Sequence, residues 1–350
     1  MKLIAFFIFS THLLLLSSQI ILAQGFELVG TLNSNIYSPS EIFVLDEDRI
    51  VTVELTNKYG VLNLIDFNTG EVLASRPAGR GPGEFSQNGK KLITLTNDNS
   101  LWVWDNGRRR GFIFDKDLNY HTDVISNDKS VTDAIHLNDS TIVVRKMFST
   151  NTVFCKNKLN GNRISDESFH CFNSESIKNL ESIKKNPLLN QGPMAKLGGK
   201  AYIGFNFTST ILSIAAEYGT DTLQTPYFIP FPEVGENRGQ TIEAPDHGEN
   251  PKTTIDIASD GENIYILYSG EKFETNLIKQ FTGYITGELA HEMEKSDNAS
   301  DLFVFDKETG KFIESLTLPN ISKRIEVYGD YFYTLSYVDK NYVVNKYRLK

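Results

Sequence analysis

Hydrophobic and polar residues alternate along this chain in short runs, separated by turns rich in Asp, Asn and Gly. Side chains on a strand point alternately to its two faces, so a period of two marks half-buried β-strands. The clearest unit reads as a strand at 42–45, the turn Asp46-Glu47-Asp48, strands over 50–55 and 60–67, the turn Asn68-Thr69-Gly70, and a fourth strand from 71 to 74. Polar turns precede β-branched or aromatic runs at 46–48, 97–99, 138–139, 198–199, 260–261 and 329–330, as hairpin connections require. Pro39, Pro251 and Pro319 stand several residues ahead of the first strand of a unit, at a strand's entry where a ring without an N–H is tolerated.

The second half of the unit recurs too. Residues 62–71 align with 302–311 and more loosely with 111–118, each ending at an Asp that can accept hydrogen bonds from its own turn. In the first two copies a Gly follows to take positive φ; the third has none. Units of roughly 50 residues are typical of propeller repeats. Radial packing of four-stranded blades buries each sheet against its neighbours and leaves short edges. The pattern therefore predicts an all-β, six-bladed β-propeller of four-stranded antiparallel blades. The last unit supplies only three strands, at 325–328, 331–338 and 342–349, while residues 26–32 form a β-prone run with no partner of their own. Pairing that run with the C-terminal three completes the last blade.

Met1-Lys2, the apolar stretch from Leu3 to Phe9, Leu13 to Leu16, and Ala23 before Gln24 read as an export signal over 1–23, leaving 24–350 as the propeller domain. The alternative is an uncleaved anchor, against which the interruptions Ser10-Thr11-His12 and Ser17-Ser18-Gln19 argue. No Cys lies near the cleavage region, so a lipid-modified cysteine is not expected; the location implied is periplasmic or secreted, with no integral span afterwards. The net charge of −9 makes nucleic acid an unfavourable partner. Cys155 and Cys171 end β-prone runs either side of Asn160-Gly161-Asn162. They either form a disulfide, which would stabilise by about 3 kcal/mol, or are two reduced core thiols.

Three segments break the repeat. Residues 174–185 and 281–295 have helical spacing, and 230–251 is a Gly/Pro/Glu-rich loop longer than a hairpin needs. Such insertions carry binding or lid roles, or cover a blade edge.

Between the first two units stands Ala78-Gly79-Arg80-Gly81-Pro82-Gly83-Glu84-Phe85. This string resembles the inter-blade connection of NHL-type repeats and of the bacterial exported six-bladed β-propellers, related in shape to TolB-like propellers. The resemblance implies an envelope propeller that binds something; most members of that family have no assigned activity. Three glycines and Pro82 suit a tight crossing, Phe85 can plug between blades, and Arg80 and Glu84 can face a ligand or pair with each other or nearby backbone.

Candidate chemistry is sparse. Arg108, Arg109 and Arg110 sit in a turn where three guanidiniums can hold a carboxylate, sulfate or phosphate, or simply be solvated. Trp102 and Trp104 share a strand face, suited to blade packing more than to a carbohydrate platform. His121, His136, His170, His247 and His291 form no i, i+4 pair, and Asp246-His247 can ligate a cation, act as acid and base, or be a polar loop tip. Asp256, Asp260, Asp301 and Asp306 read as turn caps, and no G-x-S-x-G elbow occurs. No catalytic residue, metal or cofactor is assigned. The expected function is a non-enzymatic binding or scaffold propeller using channel-face loops, with a glycan, peptide or envelope protein as partner. A hydrolase or lyase with its site at the channel mouth is the alternative. A third reading is a partner-docking module presenting the 281–295 helix.

Overall fold

A computed structural model describes residues 25–54, 58–147, 152–173, 182–183, 186–216, 219–232, 251–270 and 298–350. The segment expected to be an export signal (1–23), the segment with helical spacing at 281–295, Asp246, His247 and most of 174–185 and 230–251 lie outside these. Among the described residues no helix is long and apolar enough to cross a membrane.

The chain is an all-β propeller of four-stranded antiparallel sheets. The first is β2 (Pro39–Val44), β3 (Arg49–Glu54), β4 (Leu62–Asp66) and β5 (Val72–Arg76), hydrogen-bonded in that order. Next come β6 (Lys91–Leu95), β7 (Leu101–Asp105), β8 (Arg110–Phe114) and β9 (Tyr120–Ile125), then β10 (Val131–Asn138), β11 (Thr141–Lys146), β12 (Thr152–Asn160) and β13 (Arg163–Asn173). These two runs join into one eight-stranded sheet, where separate sheets were expected. The cause is local: the Asn160-Gly161-Asn162 hairpin reaches far enough for the Asn162 carbonyl to accept the Ile125 N–H at 2.9 Å, and Arg163 pairs in parallel with Ile125. Two further sheets follow, β14 (Met194–Leu197) to β17 (Thr220–Gln224) through β15 (Lys200–Phe205) and β16 (Thr208–Ala215), and β18 (Thr254–Ser259) to β21 (Phe312–Ser322) through β19 (Asn263–Tyr268) and β20 (Ala299–Asp306).

The last sheet holds β22 (Arg324–Tyr328), β23 (Tyr331–Val338) and β24 (Asn341–Leu349), and its fourth strand is β1 (Phe26–Leu32). Phe26 pairs with Leu349 and Leu32 with Val344, so the two ends of the described chain meet in one sheet. The Thr31 hydroxyl donates to Asn345 Oδ1 at 2.8 Å across that seam.

The core is divided between neighbouring sheets. One cluster joins Val51, Val53 and Leu64 to Phe85, Val103 and Phe112; another joins Trp102 and Trp104 to Ile135, Val143 and Phe205. Ile211 and Leu223 pack with Ile264 and Phe305; Leu267 and Val304 pack with Ile325, Phe332 and Tyr347. Leu32, Tyr333 and Leu335 then pack back against Ile42, Ile50 and Phe67 of the first sheet. The interfaces thus form a cycle, which a stacked two-layer body would not.

Phe85 is fully buried against Phe112, with ring centroids 4.9 Å apart. The two indoles stack at 6.3 Å and donate to the carbonyls of Ala134 and Thr132 on β10, so they are packing residues of the sheet interface. Any Cβ placed on Gly111 would enter the Trp102 ring. Cys155 and Cys171 lie directly opposite each other on β12 and β13 and are joined as a disulfide.

The turn readings hold at Asp66 and Asp306, whose Oδ1 atoms accept from the N–H of Thr69 at 2.7 Å and Thr309 at 2.6 Å, with Gly70 and Gly310 at φ 71° and 66°. In the third copy Leu118 takes that place at φ 62°. Left-handed backbone costs a non-glycine residue about 1–2 kcal/mol, and full burial of this leucine offsets it by a similar amount. Pro251 and Pro319 precede β18 and β22 by several residues, whereas Pro39 is itself the first residue of β2; Pro319 also lies inside β21, an edge strand, between positions where the register with β20 shifts. An edge bulge leaves no ladder bond for its missing N–H.

Candidate functional site

The first strands of the units line a common space. β2 packs beside β6 and β22, β10 beside β6 and β14, and β18 beside β14 and β22. Between their leading ends is a cavity of about 360 Å³, within the range of small-molecule sites. Every one of these strands, or the residue just ahead of it, contributes: Glu41, Lys90, Asp133, Pro193, Asp256 and Arg324. Arg145 and Asn106, at the far ends of second strands, complete the same wall, as do Lys252 and Lys323 just before β18 and β22.

Three acids reach the cavity by one device. Glu41, Asp133 and Asp256 each stand third in β2, β10 and β18, which belong to alternate units. In each case the register with the second strand shifts immediately before the acid, between Pro39 and Glu41, Val131 and Asp133, and Thr254 and Asp256. A bulge adds a residue to one strand and re-aims the side chain that follows, which places a carboxylate among the cavity-lining groups at a position where strict alternation would pack an apolar residue.

Each acid is held. Glu41 receives Arg324 through two bonds, Nε at 2.6 Å and Nη2 at 2.8 Å. Asp256 Oδ2 accepts the Ile325 N–H at 2.9 Å, tying β18 to β22. Asp133 Oδ2 lies 3.3 Å from Arg145 Nη1, and Lys90 Nζ is 3.6 Å from its other oxygen. Arg145 is 1 % exposed and also donates to the Gly192 carbonyl at 2.8 Å, so it braces the crossing that leads into β14.

Burial pushes the Asp256 carboxyl up to about 7; Glu41 beside it acts in the same direction, while Arg324 and the backbone N–H groups oppose. Burial, with Asp256 and Glu41, also holds Glu326 well above the usual carboxylate range. Burial and the neighbouring Arg324 and Lys323 lower the Lys252 ammonium to about 8. Burial alone would lower the Arg324 guanidinium, but Glu41 and Asp256 outweigh it and keep it charged. The arrangement presents fixed cations, two locked ion pairs, and an acid and a base that both titrate near neutrality.

The motif residues fall around this cavity and not in it. Glu84 Oε2 accepts the Gly81 N–H at 2.6 Å and closes its own loop, while Arg80 is exposed. Arg110 pairs with Asp123 at 2.6 Å, Arg109 takes φ 52° in the turn, and the Arg108 N–H donates to Asp105. Among the described histidines, His136 is buried 5.5 Å from Trp102, His170 sits on Phe172, and His121 is 4.0 Å from Asp115. Asp260 caps its turn, accepting from Asn263 N at 2.7 Å, as expected. Asp256 and Asp301 lie inside strands, and the turn-cap reading of them is corrected. Among the described residues no group of three His, Cys, Asp or Glu could hold a metal ion.

Fold and cavity together define a β-propeller with a charged central site. No family model and no curated protein matches the chain. Solved structures do. A member of the DUF4221 family from Bacteroides vulgatus is 11% identical, with 93% of this chain and 99% of that one covered and a TM-score of 0.58. A protein given as exported, from Bacteroides fragilis, is 12% identical over 93% and 95% of the two chains, at a TM-score of 0.50. Virginiamycin B lyase from Staphylococcus aureus is 11% identical over 93% and 100%, at 0.49. At these identities the likeness is one of fold.

Proposed function

We propose that this chain is an exported six-bladed β-propeller, of the NHL- and TolB-like kind its inter-blade motif resembles, that binds a small polar ligand in the central cavity. The observation that carries the reading is the convergence of first strands from every unit on one cavity of about 360 Å³ lined by charged side chains. The unit count is supported by the cyclic core and by the single strand pair that joins β6–β9 to β10–β13. Export is supported by the apolar leader and accords with the disulfide. Arg80 and Arg108 belong to the two loops whose neighbours Lys90 and Asn106 line the cavity, and act as rim contacts.

The carboxylates are already engaged by Arg324, Arg145 and the Ile325 N–H, which suits preorganised recognition more than proton transfer. A hydrolase or lyase reading is supported by Asp256 and Lys252 lining the same cavity, where burial raises the carboxyl to about 7 and, with Arg324 and Lys323, lowers the ammonium to about 8. Calorimetry of the full chain against chitooligosaccharides, oligogalacturonates and short peptides, with mass analysis of the recovered ligand, separates the two. We expect binding of at least one probe, recovered unchanged, and its loss when Thr132→Tyr fills the cavity. Cleaved probe would transfer the site to the enzymatic reading; binding indifferent to Thr132→Tyr would remove the cavity from function.

A further inference from the structure

We infer that the ligand of this cavity is an uncharged peptide segment, its backbone met by side-chain amides and its aliphatic side chains packed on the apolar part of the lining. The inference rests on the binding reading above and specifies the ligand's chemistry. The charges of the lining are already committed to one another. Glu41 is taken by Arg324, Asp133 lies 3.3 Å from Arg145 and 3.6 Å from Lys90, Asp256 accepts the Ile325 N–H, and Lys252 and Lys323 have partners of their own. A charged ligand would have to break these contacts and leave ions unpaired in the wall.

What the lining leaves over is neutral. Asn106, Gln191 and Asn206 line the cavity, are partly exposed, and make no side-chain hydrogen bond among the described residues. Their backbones are fixed: the Asn206 N–H donates to the Gln191 carbonyl at 2.8 Å, the Asn206 carbonyl accepts the Thr253 N–H at 2.8 Å, and the Asn106 N–H donates to the Lys90 carbonyl at 3.1 Å. Asn190 and Arg145, both in the lining, are each 1 % exposed. Asn190 Nδ2 donates to the carbonyls of Lys146 at 3.0 Å and Val153 at 3.3 Å, which leaves Oδ1 as an acceptor without a donor. Arg145 Nε is in turn a donor without an acceptor. Buried polar groups are rarely left unmatched, and these two call for a ligand, or a water it orders, that offers both kinds of partner.

A peptide offers both. An extended residue presents its N–H and C=O to one side, as in an antiparallel ladder, and one carboxamide meets the two by accepting through its oxygen and donating through its nitrogen. The rest of the lining is aliphatic, with Leu92, Met147, Met194 and Ile255 among it. Among the described residues no aromatic ring lines the cavity to stack on a pyranose, whereas methionine adapts to aliphatic side chains of varied shape. A volume of about 360 Å³ limits the enclosed segment to a few residues.

Calorimetry of the full chain with acetyl-Ala-Leu-Ala-amide, acetyl-Ala-Asp-Ala-amide, acetyl-Ala-Lys-Ala-amide and neutral galactobiose tests this. The leucine peptide is expected to bind at least about tenfold tighter than each of the other three, equivalent to about 1.4 kcal/mol. Its affinity is expected to change by less than about twofold as salt rises to about 1 M, since no ion pair holds it. Gln191→Ala and Asn206→Ala, at partly exposed positions and with unchanged circular dichroism, are each expected to weaken the leucine peptide about fivefold. Galactobiose binding as tightly as that peptide, and blocked by Thr132→Tyr, would overturn this inference while leaving the binding reading intact. Preference for the aspartate or lysine peptide, affinity lost in high salt, or binding insensitive to both amide variants would overturn it as well. Absence of binding by every probe would overturn both.

Discussion

Arg324→Leu is expected to lower the free energy of unfolding by about 3 kcal/mol, because it leaves Glu41 and the nearby Asp256 without their shared cation. Burial and the neighbouring Glu41 already raise the Asp256 carboxyl from 3.8 to about 7, and removal of the guanidinium raises it further. A carboxyl raised in the folded state binds more protons there than in the unfolded chain across the window between the two values, so stability falls as pH rises through it. The deficit of the variant against the parent is therefore smallest near pH 4 and largest above about 7. Arg324→Lys recovers part of the loss, since a point charge cannot hold both Glu41 oxygens. Urea unfolding followed by the fluorescence of the two buried tryptophans measures this, and a pH-independent deficit would show that the carboxylates are not coupled through Arg324.

Asp105→Ala is the second large effect, expected at about 3–5 kcal/mol. Lys91 and Asp105 are 2% and 0% exposed and lie 3.4 Å apart. Asp105 also accepts from the Ser86 N–H and hydroxyl, both at 2.6 Å, so it anchors the crossing between β5 and β6 to the turn after β7. Its loss strands a buried ammonium and loosens Lys90, the next residue, at the cavity wall. The double variant Lys91→Met/Asp105→Leu is expected to recover most of the stability, because removing both charges removes the uncompensated one. Failure of that rescue in the same urea experiment would shift the effect from the ion pair to the Ser86 bonds.

The repeat, the role of Phe85, the tryptophan packing and the closure of the last sheet by β1 were all legible in the sequence, because each follows from alternation, turn residues and the count of strands. The cavity was not. Composition flags none of its acids: from sequence Asp256 reads as a turn cap, and Glu41 and Asp133 are polar residues near the start of otherwise apolar strands. What turns them inward is a bulge, a backbone event with no residue signature of its own. A weak signal did exist: an acid two residues into the first strand of alternate units, ahead of or between apolar residues. The motif residues drew attention for the opposite reason. Glycine-rich and arginine-rich loops are conspicuous, but Glu84 and Arg110 spend their charge on Gly81 and Asp123. The joined eight-stranded sheet depends on how far one hairpin reaches, which a pairwise reading of strands does not contain.

Everything at the cavity depends on the cycle being closed by β1, whose leading strand brings the last sheet into register with the first. Hydrogen exchange of the full chain, read by mass spectrometry on the peptide covering 26–32, tests that closure directly. Protection equal to that of 341–349 is expected, since Phe26 to Leu32 pair with Leu349 to Val344 and fully formed ladders open only with the whole fold. Exchange of that peptide at the rate of an unstructured segment, with 341–349 still protected, would contradict it.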